Sequence, residues 1–525
     1  MPAILCFALL AAQLALPWTV RNFVTEDGPS HLYGATIFWQ LLFHHGSSIY
    51  SPLYTIQRAL IPNWMSTIVL AGFSALTGAA HAEKLFASFA LAAGFLAFAL
   101  AVRSLWPEAP PWTPIANFLF HVWFLWMGFY NFYLGMALLP VAIAVYARRG
   151  GAMTWRRAAA LSAILVLLFL THIIPTIVAI ATVVTLALWH SVWGPQGRLR
   201  SLLLAAAATA PAILLIAIYA YNASEIAGFA PQAAWAWRQF PMHLFLTAAS
   251  DDVGQRATWR FLLGYAALAA CLMKRTEWRS PRGGLAFAIL LTFLMYLFVP
   301  DAGFGGSQAK IRFSWAVFVL CGLFACSVSR MRILRPIAAL CIAWWMSANL
   351  LATYRTVQNV NRSAEDYMVA AGAIPPKASF VRLWYYSPGL LSRFGYSGIG
   401  RVPLYHFDAF AAVQNQAIDL SDYEPLNPIF PVIYKKTAVD PGQQAGLWAF
   451  EGPDPGSLKS LIWLDGGLPH PIGYVLLIGE PASPEAIQAG MPAMLQYLNA
   501  NLTLVAESPS GTVRLYRRDH RLPVP

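Results

Sequence analysis

TEDGPSHLYGA, Thr25 to Ala35, follows directly on the first apolar run of the chain. Two adjacent carboxylates, a Gly-Pro break and a histidine stand where an apolar helix should meet water. Acids are scarce here: the 525 residues are 58% hydrophobic and 11% charged, with 23 Asp and Glu in all. A soluble domain carries about 25% charged residues. Two neighbouring acids at this place therefore need a reason.

The apolar runs around the stretch decide the fold class. They fall near 2–20, 64–80, 85–105, 113–128, 131–147, 157–171, 174–193, 201–220, 259–273, 285–299, 313–328 and 336–352. Most approach the ~20 residues that a bilayer crossing needs. They are continuous rather than alternating, which excludes an outer-membrane barrel. The pattern predicts an α-helical polytopic membrane protein with 11–13 transmembrane helices and a C-terminal soluble α/β domain. The count is a range because orientation gives odd parity from one end and even parity from the other. Either one short run, 66–80 or 114–128, is not a full crossing, or the segment 45–63 hides a partial one.

The charges divide the chain. From Met1 to Ala352 the acids are Glu26, Asp27, Glu83, Glu108, Glu225, Asp251, Asp252, Glu277 and Asp301, each at or near the end of a run. The remaining acids follow Thr353. This predicts a membrane part, 1–352, and a polar tail, 353–525, large enough for its own core. Basic residues cluster in short loops: Arg148, Arg149, Arg156 and Arg157; Arg198 and Arg200; Lys274, Arg275, Arg279 and Arg282; Arg330, Arg332 and Arg335. Short basic loops are the positive-inside signature, so the net charge of +12 reflects topology and no nucleic-acid partner is expected. Residues 221–258, 300–312 and the tail then lie outside the cytoplasm. All five cysteines lie in apolar runs, and neither a disulfide framework nor a Cys-based metal site is expected.

The first external loop, 21–63, is long. HLYGATIFWQLLFHH places Leu32, Ile37, Phe38, Leu41 and Leu42 near helical spacing, which predicts an interfacial amphipathic helix with Tyr33 and Trp39 in the headgroup layer. YSPLYTIQRALIPNW reads as a second juxtamembrane piece, and AWAWRQFPMHLFL as an amphipathic candidate in 221–258. In the tail, IPPKASFVRLWYY opens a β-rich run. A helix candidate, PEAIQAGMPAMLQYLNA, stands between the strand YVLLIG and the pair LTLVAES/TVRLYRR, whose SPSG is a hairpin signal.

Glu26 and Asp27 suit a general base at the membrane surface, which takes the proton of an acceptor hydroxyl or amine as a sugar is transferred. They also suit a helix start, since Asp before Gly-Pro is a good N-cap. Lys310 and Arg312, in PDAGFGGSQAKIRF, run against the positive-inside trend and suit a lipid phosphate. Headgroup contact would explain them as well. His172 in FLTHIIPT and Asn131 in GFYNFYLG are weaker candidates for substrate contact. His31, four residues past Asp27, shares a helix face with it. No HExxH, CxxC, P-loop or GxSxG pattern occurs, so no cofactor is expected.

TEDGPSHLYGA, GFYNFYLG, FLTHIIPT, the KIRF helix entry and the tail together resemble the GT-C superfamily of membrane glycosyltransferases, of the protein O-mannosyltransferase and aminoarabinose transferase type. The family's acidic motif is commonly Asp-Glu, whereas here the order is Glu26-Asp27. The resemblance implies a lipid-linked sugar donor, a polyprenyl phosphate, with transfer outside the cytoplasm, and it implies a bacterial inner-membrane protein. Asp27, abutting the helix start, takes the base role ahead of Glu26. Arg312 and Lys310 grip the donor phosphate, and His172 assists. With no second acidic cluster near the pair a metal-independent enzyme is expected, Asp251 and Asp252 being the residues that would overturn this. Two other classes compete: a transporter or flippase for a lipid-linked substrate, and a non-catalytic assembly scaffold. A transporter places ionisable groups near the midplane, where the acid map has none and only His121 and His190 lie inside runs.

Overall fold

The structure is a computed structural model. It describes residues 2–44, 46–107, 113–120, 123–148, 150–194, 198–227, 277–301, 308–327, 334–394, 402–448, 450, 461, 468 and 471–519. The apolar run 259–273, the amphipathic candidate at 234–246, His121 and the pair Asp251/Asp252 lie outside the described residues.

A bilayer offers the backbone no hydrogen-bond partners, so the apolar runs close their own bonds as helices. In chain order these are α1 (Pro2–Ala15), α2 (Gly28–Phe43), α3 (Met65–Thr77), α4 (Ala79–Leu105), α5 (Thr113–Phe120), α6 (Trp123–Trp126), α7 (Tyr130–Ala147), α8 (Trp155–Thr171), α9 (Ile173–Trp193) and α10 (Arg198–Ala227). Then follow α11 (Pro281–Phe298), α12 (Ala309–Cys326) and α13 (Leu334–Ala371). Six of them are long and apolar enough to cross a membrane: α4, α7, α9, α10, α11 and α12. Of the two runs of which one is expected to fall short, 66–80 holds α3, of 13 residues, and 114–128 is described as helix over Thr113–Phe120 and Trp123–Trp126. The helices α7 and α12 are buried along most of their length and form the centre, while α10 and α11 face outward.

The tail holds a five-stranded sheet in the order β3-β2-β5-β7-β6. Its strands are β2 (Ser379–Trp384), β3 (Ile418–Asp419), β5 (Tyr474–Ile478), β6 (Thr503–Glu507) and β7 (Val513–Arg517). β2 runs parallel to β3 and β5, and β7 is antiparallel to β5 and β6. β2 is buried at every position, as expected of a strand with parallel neighbours on both sides. The expected strand–helix–hairpin series is present, with helical turns at Pro484–Gln488 and Met491–Asn501 between β5 and β6.

The long helix α13 runs through residue 352 without a break. Ile342, Met346 and Val357 join the core of the bundle, whereas Val360, Ala364 and Tyr367 join that of the tail. Val24, Leu32, Tyr33, Ile37, Leu41, Tyr50, Leu53 and Tyr54 also belong to the tail's core. α2 is therefore not the bare interfacial helix that its pattern suggests. Leu32, Ile37 and Leu41 of its apolar face are covered by the tail while Leu42 stays exposed, and Tyr33 is fully buried rather than at headgroup depth. Nor does 45–63 cross partially. Tyr54–Ile56 forms β1, which pairs antiparallel with β4 (Val432–Tyr434) of the tail.

Buried polar groups tie the two together. Tyr33 Oη accepts from the Asp419 N–H at 2.9 Å, and Tyr54 Oη donates to the Asp419 carbonyl at 3.1 Å. Tyr54 stacks on Tyr434, with ring centroids 4.8 Å apart. Tyr33→Phe leaves the Asp419 N–H without its acceptor, and such an orphan costs about 1–3 kcal/mol. Protease cleavage of the tail in lipid should accelerate accordingly; an unchanged rate would refute the role of this bond.

Candidate active site

Between Asn22 and Ala35 every residue is buried except Glu26 and Asp27. This exposure is built from below. Glu83, on the second turn of α4, is buried, and its Oε1 accepts from Thr25 N at 3.2 Å, Thr25 Oγ1 at 2.9 Å and Tyr130 Oη at 2.7 Å. Three donors on one oxygen pin the chain at Thr25. On the other side the N–H groups of Glu26 and Asp27 donate to the carbonyls of Trp126 and Met127, both at 3.1 Å. Gly128 permits this approach. It has φ +77°, and a Cβ there would stand 2.6 Å from Gly28 N and 2.8 Å from Asp27 N.

The two acids have different partners. Asp27 occupies the N-cap position of α2, but its side chain makes no capping bond. Thr25 Oγ1 accepts from Gly28 N at 3.1 Å instead, so the cap reading of Asp27 fails and its carboxylate is left for other contacts. One of these is His406 of the tail, with Nε2 3.5 Å from Asp27 Oδ1. Burial pushes the Asp27 carboxyl up to about 7; His31 and Arg312 oppose the rise and Glu424 adds to it. Glu26 Oε2 accepts from the Val402 N–H of the tail at 2.6 Å.

The expected substrate residues separate. Arg312 lies on the first turn of α12 with its guanidinium 4.7 Å from the Phe129 ring centroid and 5.6 Å from that of Phe132. It is near enough for its charge to act on Asp27. Lys310 does not join it. Residues two apart on a helix point about 200° apart, and Lys310 Nζ donates to the carbonyls of Tyr296 and Leu297, at 3.4 and 3.2 Å, at the end of α11. His172 caps α9, Nδ1 accepting from Ile174 N at 3.2 Å, and its ring stands edge-on to Phe132. Burial and Arg312 hold it well below the usual histidine range, so it is neutral. Asn131 is buried, accepting from Ser66 N at 2.8 Å and donating to Asn63 O at 3.1 Å. It holds the start of α3.

His31 Nδ1 pairs with Glu424 Oε1 of the tail, both side chains being nearly inaccessible. Burial pulls this imidazole down, but Glu424, Asp27 and the Gly128 carbonyl outweigh it, so His31 titrates above its ordinary value. Sequence reasoning gave no role to Glu83, Tyr130, His406 or Glu424. Glu83 alone carried a signal, as an acid at the end of an otherwise apolar run. Among the described residues no group of three or more His, Cys, Asp or Glu is placed to hold a metal ion.

No known family profile matches the chain, and no curated protein matches it by sequence. Solved structures do match. ArnT from Cupriavidus metallidurans bound to undecaprenyl phosphate has a TM-score of 0.53 and 10% identity, over 100% of this chain and 98% of that one. The same protein in the apo state has a TM-score of 0.50 and 12% identity, over 99% and 98%. The archaeal oligosaccharyltransferase AglB from Archaeoglobus fulgidus, in complex with an inhibitory peptide and a dolichol-phosphate, reaches 0.47 at 10% identity, over 100% and 75%, too loose a likeness to bear on the fold. At these identities what is shared is the fold. It is a polytopic helical bundle with a C-terminal sheet-containing domain, in agreement with the fold class expected from sequence.

Proposed function

We propose that this protein is a glycosyltransferase of the bacterial inner membrane. In this reading it moves a sugar from a polyprenyl-phosphate donor to an acceptor hydroxyl or amine, with the tail and the site outside the cytoplasm. The observation that carries the reading is Asp27: a partly accessible carboxyl, uncommitted to capping, raised to about 7, at the junction of bundle and tail. A base titrating near the working pH is matched to proton abstraction. The donor class rests on the fold likeness to ArnT, whose structure holds undecaprenyl phosphate.

The step balances as follows. The acceptor oxygen or nitrogen forms a bond to the anomeric carbon while its proton passes to the Asp27 carboxylate. The bond from that carbon to the phosphate oxygen breaks, and polyprenyl phosphate leaves with the electron pair. Arg312 stabilises the phosphate charge. Glu26 holds the tail loop at Val402. A transporter fits less well, because in the described spans the charged residues, such as Glu83, Lys84, Lys310 and Arg312, lie near helix ends.

The test is purified protein in lipid, given a panel of polyprenyl-phosphate sugars. It should release free polyprenyl phosphate or transfer sugar, and kcat should rise with pH through about 7, where Asp27 ionises. No release with any donor, or an acid limb absent from the profile, would count against this reading.

A further inference from the structure

We propose that His406 of the tail is a positioning residue for Asp27, holding one carboxylate oxygen through Nε2 and leaving the other to receive the acceptor proton. This deepens the reading of Asp27 as base and rests on it.

The imidazole is fixed in place. It stands edge-on to the Tyr405 ring with centroids 4.6 Å apart, and lies 4.9 Å from that of Tyr423. Its backbone belongs to a loop anchored from both ends. Tyr405 N donates to Val402 O at 2.9 Å, and Ala409 N to His406 O at 3.1 Å. Beneath it Arg382, a cation buried in the middle of β2, donates to the Tyr405 carbonyl and to Asp408 Oδ1, the latter at 3.1 Å. Breaking such a buried pair costs several kcal/mol, so the loop has little freedom. Glu26 and Asp27 thus meet the same tail loop at two points, Val402 N and His406 Nε2.

Charge decides what His406 does there. Burial, Arg382 and His31 hold its imidazole well below the usual histidine range. It is neutral at physiological pH, and with Nε2 3.5 Å from Asp27 Oδ1 it is placed to act on the carboxylate as an N–H donor rather than as a cation. Asp27 is faced also by His31 of α2, Arg312 of α12 and Glu424 of the tail, with Tyr130 of α7 close by and Glu83 of α4 behind His31. Among these His406 is the neighbour within 3.5 Å of a carboxylate oxygen. A donor to the ionised form favours it. Removing the donor must therefore move the Asp27 titration upward.

The experiment uses the full chain in lipid, with His406→Phe, which keeps a ring, and His406→Gln, which keeps a donor. The Asp27 carboxyl band is followed by infrared titration and assigned by its loss in Asp27→Asn. In His406→Phe the midpoint should rise by about one pH unit, the size of one hydrogen bond to a charged group. In His406→Gln it should return toward that of the unmodified protein. The kcat profile should move with the band: about fivefold lower turnover near pH 7, regained near pH 9, at an unchanged KM for the donor. A merely structural role would lower turnover at every pH without moving the midpoint. An unchanged midpoint in His406→Phe, or an equal shift in His406→Gln, overturns the proposal. A shifted band with no turnover on any donor supports the positioning contact and overturns the transferase reading instead.

Discussion

Asp27→Asn lowers turnover at neutral pH by about 10²–10⁴-fold, the usual contribution of a positioned acid or base. The change is nearly isosteric and disturbs little else, because the Asp27 side chain makes no capping bond to α2. Stability does not supply the loss. The folded carboxyl titrates about 7, above the ordinary aspartate value, so keeping Asp27 ionised costs the folded state stability, a cost that grows as pH rises toward 7. Asparagine removes that cost, and the variant should be at least as stable as the unmodified protein above pH 7. Glu26→Gln is the control. Glutamine still offers an oxygen to Val402 N, so turnover should fall by less than about tenfold. Initial rates on a polyprenyl-phosphate sugar, beside thermal unfolding in lipid, decide the matter. Equal losses in both variants, or unchanged turnover in Asp27→Asn, would sink the base assignment.

Gly128→Ala should disable the site from outside it. Its φ of +77° lies in the left-handed region, where a Cβ costs about 1–2 kcal/mol. The added carbon would also stand 2.6 Å from Gly28 N and 2.8 Å from Asp27 N. Those atoms are backbone and cannot turn aside. They yield only if the bonds from Glu26 N and Asp27 N to the Trp126 and Met127 carbonyls break, at about 1 kcal/mol each. The expected destabilisation is about 3–4 kcal/mol, with turnover below roughly a tenth of normal. Gly150→Ala separates the two causes. Its φ is +66°, but nothing lies within 4 Å of an added Cβ. It should show the conformational cost and keep its turnover. If both variants lose turnover alike, contact with the acidic loop is not what Gly128 provides.

The sequence by itself determined what composition and short-range period can encode. Continuous apolar runs allow only helices in a bilayer, and PEAIQAGMPAMLQYLNA and SPSG carry their own helix and turn chemistry. The scarcity of acids singled out Glu26 and Asp27, which the structure leaves partly accessible in a buried stretch. Tertiary structure alone decided the rest. The apolar face of α2 looks the same whether lipid or protein covers it; here the tail covers Leu32, Ile37 and Leu41. Lys310 and Arg312 are two residues apart, and only the packing of α11 beside α12 shows which of them is spent on capping carbonyls. Thr25 took the cap that Asp27 was suited for, because Glu83 and Tyr130 hold Thr25 in place. Residues 402, 406 and 424 reach the acidic loop from nearly four hundred positions away. A contact across that separation leaves no periodicity and no motif. It follows only from the pairing of β1 with β4 and from the tail closing over α2.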